Sequence, residues 1–335
     1  MATMLAARLD TPGKKMEMEQ VEVPEPKRGQ VRVKVMAAGV CLSDVHLIDG
    51  SVVGPYQLPK VTLGHEISGV VDKLGEGVDS ISTGTRVLVN PLEFHGPELH
   101  TIGVDYDGGW AEYVVVRAES AIDIGPDLPF EQAAIIPDAV STPWAAISDA
   151  AKARPGESVA VWGLGGLGYH GVKLLRMIGA APIIAVDPLE EARTRAFAAG
   201  ADVALDPNDK DFQKKLKEAN QGRGVDIAFD FAGFVPVRQQ AYEALDRLGR
   251  LVIVGIAPGD LTLSPSSDLS VFARSVIGHY GSQPKHLHEM VKLTRLGRLD
   301  FGDSISKVLP LSDAPKAVKM LENKEGNPIR IVLRP

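Results

Sequence analysis

Three side chains in this sequence stand where their chemistry needs an explanation. Cys41, the single cysteine of the chain, lies in Gly39-Val-Cys41-Leu-Ser43-Asp44-Val-His46, a polar cluster between apolar strand-like runs. Alone, such a cysteine is most often a small hydrophobe. His65, in Gly64-His65-Glu66, opens the apolar run Ile67 to Val71, where a histidine is commonly a hydrogen-bonded structural residue. Asp138 falls in Ala134-Ile-Ile-Pro137-Asp138-Ala, an apolar helical stretch in which an unpaired buried carboxylate costs on the order of several kcal/mol. A cation coordinated by Cys41, His65 and Asp138 resolves all three oddities together. Thiolate, imidazole and carboxylate suit Zn²⁺, with three tetrahedral positions filled by protein and the fourth open to water or a substrate oxygen. An open position marks a catalytic site rather than a structural one.

A second group of residues carries different chemistry. Val159-Ala-Val-Trp-Gly163-Leu-Gly165-Gly166-Leu167-Gly168 reads as a strand running into G-x-G-x-x-G, followed by a helix from Tyr169 to Ile178. The glycines permit a tight turn, close approach of the backbone to a pyrophosphate, and packing of helix on strand. The helix N-terminus offers unpaired N–H groups to phosphate. Asp187 ends the next strand about twenty residues further on, where the fingerprint places an acid. That carboxylate can accept both ribose hydroxyls and repels a 2′-phosphate, so NAD is expected, with NADP less favoured. Arg193 and Arg195, on the helix after Asp187, are the residues that could reach a 2′-phosphate. The competing reading is a tight turn in a non-binding α/β protein, with Asp187 capping a helix.

The segments Gly39 to His46, Gly64-His65-Glu66, Asp107-Gly-Gly-Trp110-Ala-Glu-Tyr113, Ile136-Pro-Asp138, the glycine loop and Ile329-Arg330-Ile-Val-Leu occur in an order and at distances that resemble the zinc-containing alcohol dehydrogenases of the medium-chain dehydrogenase/reductase superfamily. The resemblance runs over essentially the whole chain. It implies an α/β fold with a GroES-like β-rich catalytic domain (1–139 and 282–335) and a Rossmann doubly wound parallel-sheet coenzyme domain (140–281). It implies reversible oxidation of a primary or secondary alcohol to an aldehyde or ketone, with hydride passing to NAD while zinc polarises the alcohol. Carried over, Cys41 and His65 become zinc ligands and Glu66 an alternate one. Asp44 orients the histidine, and Ser43 and His46 form a proton relay, although Ser and Asp are also common helix N-caps. Thr142, Val254, Gly255, Gly278 and His279 match contacts to the nicotinamide side, and Arg330 a pyrophosphate contact. Trp110 and Leu92 to Phe94 match the substrate cleft. A homodimer or homotetramer through the coenzyme domain is implied as well.

Two departures from the family pattern stand out. Asp138 occupies the place of a second cysteine in many members, although some bacterial secondary-alcohol enzymes are similar in having aspartate there. Pro91 to Asp107 contains none of the four cysteines that hold a structural zinc in many relatives. One zinc per chain is therefore expected, with His95 and His100 as solvated loop residues and the lobe held by packing alone. The competing activities are a zinc-independent quinone or enoyl reductase on the same two domains, and a dinucleotide-binding protein without turnover.

These residues need two kinds of framework. Up to about Ser120 short strands dominate: Val31, Val33 and Val35 alternate with Arg32 and Lys34, and Arg86-Val-Leu-Val and Tyr113-Val-Val-Val are further strands. From about Glu157 the rhythm becomes apolar strand, glycine turn, amphipathic helix, which signals a parallel α/β sheet. Its expected strands are Val159 to Trp162, Ile183 to Val186, Val225 to Phe231 and Leu251 to Val254, with helices Leu189 to Ala199 and Val237 to Leu248. After Gln283 a helix, an extended Ser306-Lys-Val-Leu, a helix from Asp313 to Glu322 and a last strand from Ile329 to Leu333 are expected. A length of 335 residues suits two cores. A net charge of −7 argues against a nucleic-acid partner. With no apolar run of about 18 residues and no signal-peptide pattern, a cytoplasmic protein that is not membrane-bound is expected.

Overall fold

The computed structural model describes residues 2–256, 259–263 and 265–335. The chain forms two compact units, one from Met1–Ser141 with Ser282–Pro335 and one from Thr142–Gly281.

The first unit is built on β-sheet. Its larger sheet has the order Ala121–Asp123, Arg86–Val89, Ile67–Leu74, Gln30–Val40, Arg330–Arg334, Ile305–Pro310, and Tyr113–Arg117 also pairs with Gln30–Val40. The alternation read from the sequence governs Gln30–Val40: Val31, Val33 and Val35 are buried while Arg32 and Lys34 turn outward. β-branched residues favour this half-buried pleat. A three-stranded antiparallel sheet of Lys15–Glu22, Thr3–Asp10 and Lys60–Thr62 flanks the same core.

The lobe from Pro91 to Asp107 corrects one expectation. It is a hairpin, Leu92–His95 paired with Glu98–Thr101, and its histidines are not merely solvated. The His95 and His100 rings stack 4.3 Å apart, and Tyr56 stacks on His100 at 4.2 Å. Beneath them buried Glu93 accepts hydrogen bonds from the Tyr106 hydroxyl at 2.5 Å and Ser120 Oγ at 2.6 Å. Burial, then this hydrogen bond, raises the Tyr106 pKa. Polar interactions as well as packing thus hold the lobe.

The second unit is a six-stranded parallel sheet in the order Val203–Leu205, Ile183–Val186, Val159–Trp162, Val225–Asp230, Leu245–Ile253, Ser275–Gly278. By sequence rank this is 3-2-1-4-5-6, the doubly wound order whose ligand crevice lies beyond the carboxyl ends of the strands where the order reverses. Val159–Trp162 and Val225–Asp230 are the neighbours at that reversal. The helix expected from Val237 to Leu248 is shorter: it spans Val235–Glu243, and Leu245 already pairs with Val225. Leu248, counted as part of a helical face, has φ 64° and is 66% exposed, in the irregular stretch before the ladder resumes at Arg250.

Candidate active site

Sheet register brings the first site residues together. Ala38 pairs with Ile67, and beyond that pair the Gly39 N–H donates to the Glu66 carbonyl at 2.9 Å, which sets Val40 and Cys41 beside Gly64 and His65. On the other side of Gln30–Val40, Ile331 pairs with Val40, so Arg330 emerges next to Cys41. Asp138 arrives from a helix. Phe130–Ile135 is anchored to the sheet by Ser68 Oγ, which donates to the Phe130 carbonyl at 2.6 Å. Pro137 has no N–H and disrupts an ordinary helical ladder, and the helix widens into a π-type turn over Ile136–Val140. Such turns are frequent at functional sites. The Ala139 N–H donates to Glu66 Oε1 at 3.1 Å, locking this turn onto the sheet.

One ligand atom each from Cys41, His65 and Asp138 lies within 4.8 Å of the other two. Cys41 Sγ is 3.4 Å from Asp138 Oδ2, and His65 Nε2 is 3.7 Å from the same oxygen. Tetrahedral zinc bonded to sulfur, nitrogen and oxygen at ordinary lengths would place these pairs about 3.6 and about 3.4 Å apart. The three atoms are therefore spaced to share one ion.

Charge supports the same fit. Asp44, Glu66 and Asp138 cluster about His65, and the guanidinium of Arg330 answers Glu66 at 2.9 Å and Asp138 at 3.3 Å. Burial drives the Glu66 pKa up to about 7, with Arg330 offsetting this only in part. Burial opposes charge on His65, yet Asp44 and Asp138 raise its pKa well above the usual value. For Arg330, burial is likewise outweighed by Glu66, Cys41 and Asp138, which raise its pKa. The pocket carries a surplus of potential negative charge that a divalent cation would neutralise.

The neighbouring residues position the trio. Cys41 is the N-cap of helix Leu42–Asp49, in a reciprocal capping arrangement with Asp44 three residues on. Asp44 Oδ2 accepts the Cys41 N–H at 2.8 Å, and its Oδ1 lies 3.4 Å from His65 Nδ1, leaving Nε2 turned to the trio. Ser43 Oγ is 3.5 Å from that Nε2, and His46 is half-buried one turn along the helix. Glu66 stands outside the trio, bound to Arg330 and the Ala139 N–H. Only glycine at position 39 leaves room for it, since a Cβ there would lie 1.8 Å from Glu66 Oε2.

The two substrate-cleft expectations fall in different surroundings. Trp110 is wholly buried and donates its indole N–H to the Gly39 carbonyl at 2.9 Å. Phe94 is 65% exposed on the hairpin. Arg330, expected at a pyrophosphate, is buried against the two carboxylates of its own unit.

In the second unit the glycine loop follows strand Val159–Trp162, and helix Gly166–Ile178 begins within it. Gly163 has φ 83°, and a Cβ there would crowd Ala232 at 2.7 Å. Gly168 is needed for packing, since its Cβ would strike the Gly163 carbonyl oxygen. Gly165 differs: its φ is −75° and a Cβ would meet nothing within 4 Å, so neither backbone nor packing demands a glycine. Open space above such a residue is what a closely approaching phosphate requires. Gly166 and Leu167 form the first turn of the helix. Asp187 Oδ2 accepts the Leu164 N–H at 2.8 Å and Oδ1 the Leu189 N–H at 2.9 Å. Arg193 donates to the Asp187 carbonyl, and Arg195 to the Leu164 carbonyl.

Val254 and Gly255 follow the strand that ends at Ile253, Gly278 ends the edge strand, and the His279 N–H donates to the Ile253 carbonyl at 2.9 Å. Thr142 is buried. Sequence reasoning passed over Asp230 and Arg238, a buried pair at 3.1 Å. Asp230 accepts the N–H groups of Ala232 and Gly233, while Arg238 donates to the Gly255 carbonyl at 2.9 Å. Together they tie the ends of two neighbouring strands. A carboxylate closing the apolar run Val225–Asp230 was the available signal, because such a group needs a partner.

Comparison with known proteins agrees with this architecture. A family model described as "Alcohol dehydrogenase GroES-like domain" matches residues 27–126, and one described as "Zinc-binding dehydrogenase" matches residues 166–295. The chain belongs to the zinc-containing alcohol dehydrogenase family of the medium-chain dehydrogenase/reductase superfamily, oxidoreductases acting on CH–OH groups. It is 31% identical to an NAD-dependent alcohol dehydrogenase of Sulfurisphaera tokodaii, covering 96% of this chain and 97% of the relative. It is 30% identical to an L-threonine 3-dehydrogenase of Pyrococcus horikoshii, covering 90% of each. The crystal structure of 2R,3R-butanediol dehydrogenase from Bacillus subtilis matches with a TM-score of 0.90 and 29% identity over 99% of both chains. Among the described residues no helix is long and apolar enough to cross a membrane.

Proposed function

We propose that this protein catalyses the reversible NAD-linked oxidation of a primary or secondary alcohol to an aldehyde or ketone, with one zinc ion held by Cys41, His65 and Asp138. The observation that carries the reading is the convergence of one atom from each of these side chains within 4.8 Å, from three separate parts of the fold. When bound, zinc supplies Lewis-acid polarisation of the alcohol oxygen and the nicotinamide accepts the hydride. The residues of the chain do the rest. Asp44 Oδ1 faces the Nδ1–H of His65 as its hydrogen-bond acceptor and so favours the tautomer whose Nε2 is free to be a ligand. Ser43 Oγ takes the alcohol proton as it releases its own, and His46 delivers a proton to solvent, with the ribose of a bound dinucleotide as the group that would link the two. Glu66 and Arg330 hold Asp138 and the strand ends in register.

The dinucleotide lies along Gly163 to Gly168, with Asp187 on the ribose. Each Asp187 oxygen takes one backbone N–H, and its remaining lone pairs are available to hydroxyls, which favours NAD over NADP. Thr142, Val254, Gly255, Gly278 and His279 are the residues that would hold the nicotinamide end. Two relatives named for threonine at C3 and for butanediol favour a secondary alcohol. We also propose a homo-oligomer formed along edge strand Ser275–Gly278, which among the described residues pairs only with Leu245–Ile253 and is preceded by Val271 and Phe272, exposed at 64% and 38%. An unpaired strand edge is a ready template for a second copy.

The test is a panel of primary and secondary alcohols with NAD and with NADP, followed by absorbance at the reduced nicotinamide band, alongside metal analysis. Alcohol-dependent NADH formation that is lost on chelation and regained with zinc is expected. Undiminished turnover in metal-free protein would support the zinc-independent reductase instead.

A further inference from the structure

Two of the proposed ligands sit on loops one or two residues from a glycine, and one side chain touches both glycines. Trp110 donates its indole Nε1–H to the Gly39 carbonyl at 2.9 Å, two residues before Cys41. The edge of the same ring covers Gly64, the residue before His65, so closely that a Cβ at Gly64 would lie 2.2 Å from Trp110 Cδ1. Gly64 has φ 96°, a left-handed conformation natural to glycine. The backbone of Trp110 is itself pinned. Its N–H donates to the Leu63 carbonyl and its carbonyl accepts the Ala7 N–H, both at 2.8 Å, while the Gly109 N–H donates to the Gly64 carbonyl at 2.8 Å. The ring is wholly buried.

We propose that Trp110 is a positioning residue that sets the spacing between Cys41 and His65, and hence the affinity of their site for a divalent metal. The proposal rests on the metal reading given above. The indole is a rigid spacer between the end of strand Gln30–Val40, which leads to Cys41, and the turn at Gly64, which leads to His65. Its hydrogen bond fixes the Gly39 end and its edge fixes the Gly64 end, so neither ligand can shift without disturbing the ring. Sulfur and nitrogen ligands demand distances close to 2.3 and 2.0 Å, and loops left to relax would meet that demand only by reordering at each binding event.

The experiment compares the parent protein with Trp110→Phe and Trp110→Leu, using cobalt(II) and zinc as probes. Cobalt titration reads the near-ultraviolet thiolate-to-metal band, and zinc retention is read by competition with a chromophoric chelator. Phenylalanine keeps a ring near Gly64 but cannot donate to Gly39, whereas leucine loses both. The expected result is zinc affinity about tenfold lower in Trp110→Phe and lower again in Trp110→Leu, in the range seen when support behind a metal ligand is lost, with a shifted cobalt band. NADH affinity, read by fluorescence, should stay at the parent value because the glycine loop belongs to the other unit. Folded variants that hold zinc as the parent does, with an unmoved cobalt band, would overturn the proposal. If Trp110→Leu does not fold, Trp110→Phe decides alone. A parent that gives no thiolate band fails the metal reading itself and the proposal with it, an outcome distinct from a parent that binds and variants that match it.

Discussion

At the scale of single residues, the site turns on Asp138. A carboxylate in place of a thiolate would give a bound ion a harder ligand, and in this structure that carboxylate also pairs with Arg330 at 3.3 Å. Asp138→Asn keeps the shape and removes the charge. It should lower zinc affinity at least about tenfold, as loss of a ligand charge exceeds the cost of losing a supporting contact, and chelator competition reads this directly. Glu66 supports a prediction in pH. Its folded pKa, about 7, stands above the ordinary 4.5 because of burial. The stability it contributes is therefore full below 4.5 and is lost as pH rises through about 7, and the raised pKa of His65 acts in the same sense. Metal-free protein should accordingly melt at lower temperature as pH is raised across that window. Glu66→Gln should flatten the slope; identical slopes in thermal melts at several pH values would contradict this assignment.

At the scale of elements, the glycine loop separates binding from folding. Gly165→Ala introduces a methyl group that meets nothing within 4 Å, at a backbone angle any residue adopts. The melting temperature should be unchanged while NADH affinity, titrated by fluorescence, falls. Undiminished affinity would remove this loop from the binding site. The pair Asp230 and Arg238 makes the opposite case. Arg238→Met leaves a buried carboxylate without its cation and should cost about 3–5 kcal/mol of stability, measurable by urea unfolding.

These two elements also show what the sequence discloses. Strands Val159–Trp162 and Ile183–Val186 were legible to the residue, because a fully buried parallel strand is a short apolar run bounded by turns. Cys41, His65 and Asp138 were legible as chemical oddities. A shared cation was expected to draw them together; the strand register that does so, Ala38 with Ile67 and Val40 with Ile331, was not legible, because pairing between distant strands leaves no local mark. The π-type turn at Pro137 and the grip of Arg330 on Asp138 were hidden for the same reason. The hairpin histidines show the limit of reasoning by type: two imidazoles read as solvated stack on each other and, through His100, on Tyr56, while Trp110, matched to the cleft with packing as the alternative, contacts Gly39 and Gly64.

At the scale of the whole molecule, the proposed metal and dinucleotide sites belong to different compact units. Exhaustive chelation should therefore abolish alcohol-dependent NADH formation while NADH binding to the glycine loop persists. A ligand present at a thousand times its Kd adds about 4 kcal/mol to the unit that binds it, so adding zinc back should raise the melting temperature by several degrees. Calorimetry before and after chelation checks both statements.

Arg330 grips Asp138 across 192 residues of chain, and the whole of the other unit is synthesised in between. On the ribosome, the stretch carrying Cys41, His65 and Asp138 emerges early but lacks the strand that closes its sheet. The intervening unit has time to fold first. On the proposed metal reading, loading of the ion would then be a late event in biogenesis, with the Cys41 thiol lacking its guanidinium neighbour until the strand that carries Arg330 docks.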